Sequence, residues 1–126
     1  MDENSALSGF SALSHEDRLR IVRMLVVAGA DGMAAGAIAA ALNDAPPSRV
    51  SFHLKELEHA GLVGRRREGK SIIYSAVFPA LSDLVAFLMH DCCQGHCAWC
   101  DQAIALFAKC EGRPTSMHIT GDTQDR

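Results

Sequence analysis

Between Pro46 and Val77 the sequence changes its apolar period once, and this change constrains the fold more than any other feature. Pro46 and Pro47 suit the first turn of a helix, where the missing N–H is not needed. Val50, Leu54, Leu57 and Gly61 then fall on one stripe at helical spacing, and Gly61 ends the helix. After it, Leu62 to Arg67, a Glu68-Gly69 turn and Lys70 to Val77, with β-branched Ile72 and Ile73 beside Tyr74, predict a two-stranded hairpin. Upstream, Ser14 followed by Asp17 resembles a capping box. It opens an expected helix to about Ala28, in which Leu19, Val22, Leu25 and Val26 recur at helical spacing. Gly29 and the Asp31-Gly32 pair break that helix. The alanine-rich stretch Ala35 to Leu42 favours a short second one, and Asn43 to Pro47 is the next turn.

Two helices joined by a short turn and followed by a hairpin give a mainly α chain with a β-hairpin wing. That is the order of a winged helix-turn-helix, in which the second helix enters the major groove of DNA. Pro79 restarts a helix whose Leu81, Leu84, Val85 and Leu88 fall at i, i+3, i+4 and i+7, leaving one apolar face for a partner surface. A further short helix is expected over Cys100 to Cys110, so residues 1–110 read as one domain that includes a C-terminal cysteine cluster. Residues 111–126, EGRPTSMHITGDTQDR, have almost nothing to bury and read as a flexible tail. The full 126 residues are about the length of a single domain. No apolar run reaches the ~18 residues of a membrane span. The first positions carry acids where a secretion signal carries lysine or arginine, so a cytoplasmic protein with no membrane partner is expected. Five cysteines is an odd number, and a reducing cytosol keeps them as thiols rather than as a disulfide framework.

The net charge of −3 argues against a nucleic-acid partner until it is resolved by position. From Ser48 to Lys70, six basic residues (Arg49, Lys55, Arg65, Arg66, Arg67, Lys70) face three acids, so this segment carries +3 and the rest of the chain −6. Phosphate attraction is local, screened over ~8 Å in physiological salt, and a basic stripe on an acidic body is the footprint of a DNA reader. On the helix that carries Val50, Leu54 and Leu57, the residues Ser48, Ser51, Phe52, Lys55 and His59 lie on the side the core does not need. Short hydroxyls, a cation and an exposed aromatic suit phosphate bonds, base-edge bonds and contact with a thymine methyl. His53 sits at the edge of the apolar stripe, where it suits packing or base contact. The candidate DNA contacts are therefore Ser48, Arg49, Ser51, Phe52, His53 and Lys55 on the helix, and Arg65, Arg66, Arg67 and Lys70 on the wing. The wing cations, alternating between the faces of a thin ribbon, suit the phosphate backbone or the minor groove and contribute affinity rather than sequence choice.

The run Leu13-Ser14-His15-Glu16-Asp17-Arg18-Leu19-Arg20-Ile21 resembles the helix before the DNA reader of the ArsR/SmtB repressors. Ser51-Phe52-His53-Leu54-Lys55-Glu56-Leu57-Glu58-His59-Ala60-Gly61-Leu62-Val63 looks like their recognition helix, and Arg67-Glu68-Gly69-Lys70 through Tyr74 is similar to their wing. The resemblance spans about Ser11 to Leu88. It implies a homodimeric repressor, dimerised through its first and last helices, that releases double-stranded operator DNA when an inducer binds.

The inducer has to be argued from the cysteines. Cys92, Cys93, Cys97 and Cys100 put four thiols in nine positions, with His90, Asp91 and His96 nearby. Thiolates select soft ions over magnesium or calcium. Trivalent arsenic or antimony takes three thiolates in a pyramid, and a vicinal pair plus one later cysteine fits. The resemblance adds two patterns. Many ArsR proteins use a C-V-C pair on the first helix of the reader, where Met33 to Leu42 has no cysteine; another subgroup carries a cysteine pair and a later cysteine just beyond the last helix, and Cys92-Cys93-Gln94-Gly95 looks like that. The third thiolate is Cys97 or Cys100. An arsenite-responsive repressor is the expected function, with Sb(III) as a second inducer. The alternatives are a four-thiolate zinc or cadmium site, in which His96 can replace one cysteine, and a redox or persulfide switch through Cys97 and Cys100 or Cys110. The family's interface zinc site is not supported, because Asp83 has no matching histidine array. Cys97-Ala98-Trp99-Cys100 as a thioredoxin-type redox enzyme lacks the βαβ pattern that motif requires, so no enzyme is expected.

Overall fold

The computed structural model describes residues 1–89. In chain order they form α1 (Glu3–Leu13), α2 (Glu16–Ala28), a 3₁₀ turn (Gly29–Asp31), β1 (Met33–Ala34), α3 (Ala35–Ala41), α4 (Pro47–His59), β2 (Val63–Glu68), β3 (Ser71–Ala76) and α5 (Phe78–Met89). The expected further helix at Cys100 to Cys110 and the tail 111–126 lie outside the described residues.

α2 starts where expected but with a different cap. Ser14 closes α1, its N–H bonded to the Ser11 carbonyl, and His15 is the N-cap, its Nδ1 accepting the Asp17 N–H at 3.1 Å. The buried face of α2 is Asp17, Ile21, Val22 and Leu25, whereas Leu19 and Val26 of the expected stripe are exposed. The turn between α3 and α4 places Asn43 and Asp44 at φ 59° and 57°, a left-handed conformation that these two residue types tolerate best after glycine. α4 has proline at its first turn and ends in a Schellman motif: the Leu62 N–H reaches the Leu57 carbonyl at 3.0 Å and the Gly61 N–H reaches Glu58 at 2.9 Å.

Leu62 and Val63, both buried, carry the chain from α4 into the wing. β2 and β3 pair antiparallel from Val63↔Ala76 to Glu68↔Ser71, so the two-residue loop is Gly69-Lys70, one position later than the expected Glu68-Gly69. Gly69 at φ 63°, in the first central position, matches the positive φ that a type II′ hairpin turn needs there. A third strand joins the hairpin: β1 pairs with β3 through Met33↔Tyr74 and Ala34↔Ile73, giving the order β1-β3-β2.

Ile21 and Leu25 from α2, Ile38 from α3, and Val50, Leu54 and Leu57 from α4 meet in one core with Leu62. Leu84 of α5 is buried against α1, where a Cβ on Gly9 would lie 2.9 Å from the leucine side chain, so the two helices cross in close contact. The rest of that surface stays apolar and exposed: Leu7 and Phe10 on α1, and Val85, Phe87 and Leu88 on α5. Among the described residues, no helix is long and apolar enough to cross a membrane.

Candidate nucleic-acid interface

The stripe that packs α4 into the core leaves its other side in water. Ser48, Arg49, Ser51, Phe52, Lys55 and His59 are all exposed, and Phe52, at 57%, is a large aromatic surface that no other described residue covers. His53 differs from its neighbours. It is only 5% exposed, with its ring 4.5 Å from that of His15 and 5.5 Å from that of Phe52. Burial leaves His53 little surface to offer a base edge, so of the two roles its place at the stripe's edge suited, it fills the packing one in this structure.

Arg49 is held by a residue that the sequence presented only as part of a cap. Asp17, buried on α2, accepts both Arg49 Nε at 2.8 Å and Arg49 Nη2 at 2.7 Å on its Oδ2, tying the first turn of α4 to α2. Half of the Arg49 side chain remains in water. The available signal was spacing: Asp17 precedes Ile21 and Leu25 by one and two helical repeats, which puts a carboxylate on the core stripe. The Arg49 hydrogen bonds hold the Asp17 carboxyl below the usual carboxylate range, against the opposing effect of burial. A carboxyl with its folded pKa below its unfolded one adds stability above about pH 4 and loses it as the pH falls through the folded value. His53 acts in the same direction at higher pH, since burial, reinforced by His15, lowers its pKa and stability declines below about pH 6.5. Asp17→Asn is expected to lower stability by about 1–2 kcal/mol at neutral pH and to flatten the loss below about pH 4. Urea midpoints at several pH values measure both; an unchanged acid limb would assign that loss to other carboxylates.

The wing divides its cations by face, because cross-strand partners share a side and neighbours alternate. Arg66 shares a face with Glu68 and Ser75. Its Nε donates to Glu68 Oε2 at 2.7 Å, Nη1 to Ser75 Oγ at 3.0 Å and Nη2 to the Asp31 carbonyl at 3.1 Å. All three nitrogens are thus used within the protein, and Arg66 braces the ribbon to the loop before β1. Arg65 and Arg67 lie on the other face, where Arg65 Nε approaches Glu58 Oε2 at 3.4 Å and Arg67 Nε approaches the Gly69 carbonyl at 3.4 Å. Lys70, on the turn itself, is exposed with no ion-pair partner among the described residues. Lys70→Ala is therefore expected to weaken operator and random DNA alike and to reduce the salt slope of binding by roughly one counterion. Phe52→Ala should instead weaken the operator more than random DNA. Fluorescence titrations across salt concentrations separate the two effects, and an unchanged slope for Lys70→Ala would remove the turn from the phosphate backbone.

An exposed polar face on a helix that follows a short helix and a tight turn, flanked by a basic ribbon, defines a winged helix-turn-helix DNA-binding domain. A helix-turn-helix family model matches residues 13–66. An ArsR-like transcriptional regulator from Rhodococcus sp. RHA1 is 26% identical with a TM-score of 0.60, over 90% of this chain and 96% of that one. A homodimeric winged helix-turn-helix DNA-binding domain from Mycobacterium bovis, of a possible ArsR-family transcriptional regulator, is 30% identical with a TM-score of 0.52, over 69% of this chain and 84% of that one. A possible transcriptional regulator for arsenical resistance is 27% identical with a TM-score of 0.53, over 79% and 92%. No curated protein sequence matches significantly. The chain belongs to the ArsR family of winged helix-turn-helix regulators, and its fold and family are those of a DNA-binding transcription regulator rather than of an enzyme. The expected ligand residues Cys92, Cys93, Cys97 and Cys100 lie outside the described residues.

Proposed function

We propose that this regulator is a repressor that binds operator DNA as a homodimer and releases it when trivalent arsenic is captured by its cysteine cluster. The observation that carries the inducer is the donor set: Cys92, Cys93, Cys97 and Cys100 follow α5 within nine positions. Arsenite exchanges its three hydroxides for three thiolates, each leaving as water with the thiol proton, and the vicinal pair plus Cys97 or Cys100 supplies those thiolates. Trivalent antimony has the same demand. The likeness to a regulator for arsenical resistance supports this choice. The homodimer is supported by the apolar surface that α1 and α5 leave exposed, with Leu7, Phe10, Val85 and Leu88 on it, and by the homodimeric relative. Two reading helices related by a two-fold axis then require half-sites about one helical turn, ~34 Å, apart.

Arsenic-edge absorption on the arsenite-loaded protein, paired with an operator titration, tests this reading. Three sulfurs per arsenic and two chains per inverted repeat are expected. The fourth thiol in the run favours one rival, a tetrahedral zinc or cadmium site. Tight zinc binding by four sulfurs, with arsenite leaving the DNA complex intact, would replace the arsenite reading with that one.

A further inference from the structure

Beneath the DNA-facing residues Arg49 and Phe52, the start of α2 and α4 bring two histidines and a carboxylate together. One ligand atom each from His15, Asp17 and His53 lies within 4.8 Å of the others. His53 Nε2 is 3.5 Å from Asp17 Oδ2, too long for a good hydrogen bond, and the buried Nδ1 of His53 has no partner among the described residues. An imidazole buried with neither nitrogen well bonded is costly to keep unless something else uses it.

We propose that His15, Asp17 and His53 form a binding site for a borderline divalent cation of the zinc class, one that uses none of the cysteines and is independent of the arsenite reading. Two imidazoles and one carboxylate suit zinc, cobalt(II) or nickel(II), with water completing the coordination. His15 is exposed, so the ion enters from solvent. Ligand atoms around a tetrahedral zinc are ~3.3 Å apart, so the trio must draw together. His15, at the start of α2 with its side in water, is the member free to move. Two existing contacts oppose the ion: the cap bond from the Asp17 N–H to His15 Nδ1, and the Arg49 guanidinium on Asp17 Oδ2. The second opposition is electrostatic, so the ion and the Arg49 guanidinium compete for the Asp17 carboxylate. Occupancy of the site would therefore loosen the hold on an arginine on the first turn of the reading helix.

The test uses the full-length chain with Cys92, Cys93, Cys97, Cys100 and Cys110 all changed to serine, which cannot answer to arsenite and so isolates this site. Cobalt(II) is titrated by its visible absorption, and zinc by competition and by the imidazole nuclear magnetic resonances. One cobalt per chain with nitrogen and oxygen ligation is expected, displaced by zinc with shifts at His15 and His53. His15→Asn keeps an N-cap acceptor for α2 and should weaken binding about tenfold or more. Arg49→Ala should tighten binding several-fold by removing the competing charge. Absence of saturable binding at millimolar zinc, or affinity unchanged in His15→Asn, would overturn the proposal, the latter by placing the ion on other histidines.

Discussion

Arsenite at one equivalent per chain is expected to weaken operator binding about 5–150-fold, the range of a coupling of ~1–3 kcal/mol between two sites. The cysteines follow α5 in sequence and are far along the chain from the reading helix, so the proposed release is allosteric: the inducer must bind the free conformation better than the DNA-bound one. Drawing three thiolates onto one ion would reshape the chain just after α5, and α5 carries much of the apolar surface assigned to the dimer. Under the proposed mechanism, a change there would alter the spacing of the two reading heads. Cys92→Ser and Cys93→Ser should each abolish release while leaving operator affinity within about twofold, because neither residue belongs to the DNA-facing set. Cys97→Ser and Cys100→Ser should differ, and the one that abolishes release is the third ligand. Cys110→Ser should change nothing. Fluorescence anisotropy on a labelled operator, with and without arsenite, reads all five variants. Release that survives both Cys92→Ser and Cys93→Ser would remove the vicinal pair from the mechanism.

The recognition helix and the wing were legible because their signals are local. Pro46-Pro47, the Val50, Leu54, Leu57 stripe and the switch to β-branched residues each occupy a few adjacent positions, and α4, β2 and β3 formed where those signals lie. The first helix was not legible in the same way: α1 buries Ala6, Gly9 and Ala12, whose small side chains leave almost no hydrophobic pattern. β1 has two residues, too few to show a period of two, and it exists because β3 offers it an edge. Within the DNA-facing set, exposure on α4 followed from the helical wheel, and His53, at the stripe's edge, was settled only by packing. The state of the wing arginines was not readable at all. Arg66 draws its partners from Asp31, Glu68 and Ser75, three separate stretches that only the folded sheet brings together. The same holds for Asp17, whose role depends on α4 passing across the start of α2.

Gly32→Ala should be the most damaging single-methyl change in the described fold, with a loss of about 3 kcal/mol or more, roughly two decades in the folding constant. Gly32 has φ 64° and ψ −166°, a region essentially reserved for glycine, in which another residue costs about 1–3 kcal/mol. A Cβ there would also collide with the Tyr74 carbonyl oxygen and lie 2.7 Å from both Ile73 Cγ2 and Ser75 Oγ. The closest of these is backbone in the middle of β3, which cannot swing aside as a side-chain tip can. Relief requires moving β1 off β3, and that breaks the Met33↔Tyr74 and Ala34↔Ile73 pairing. Gly61 and Gly69 supply the comparison, since both have positive φ but nothing within 4 Å of an added Cβ. Alanine at either should cost about 1–2 kcal/mol, the conformational part alone. The damage at Gly32 should also reach DNA: the Asp31 carbonyl beside it anchors Arg66, so a displaced β1 loosens the seat of the wing. Urea denaturation of the three variants at one fixed protein concentration checks the ranking, because dimerisation makes midpoints concentration-dependent. A Gly32→Ala midpoint equal to that of Gly69→Ala would show that β1 yields without cost and that the wing is seated by the hairpin alone.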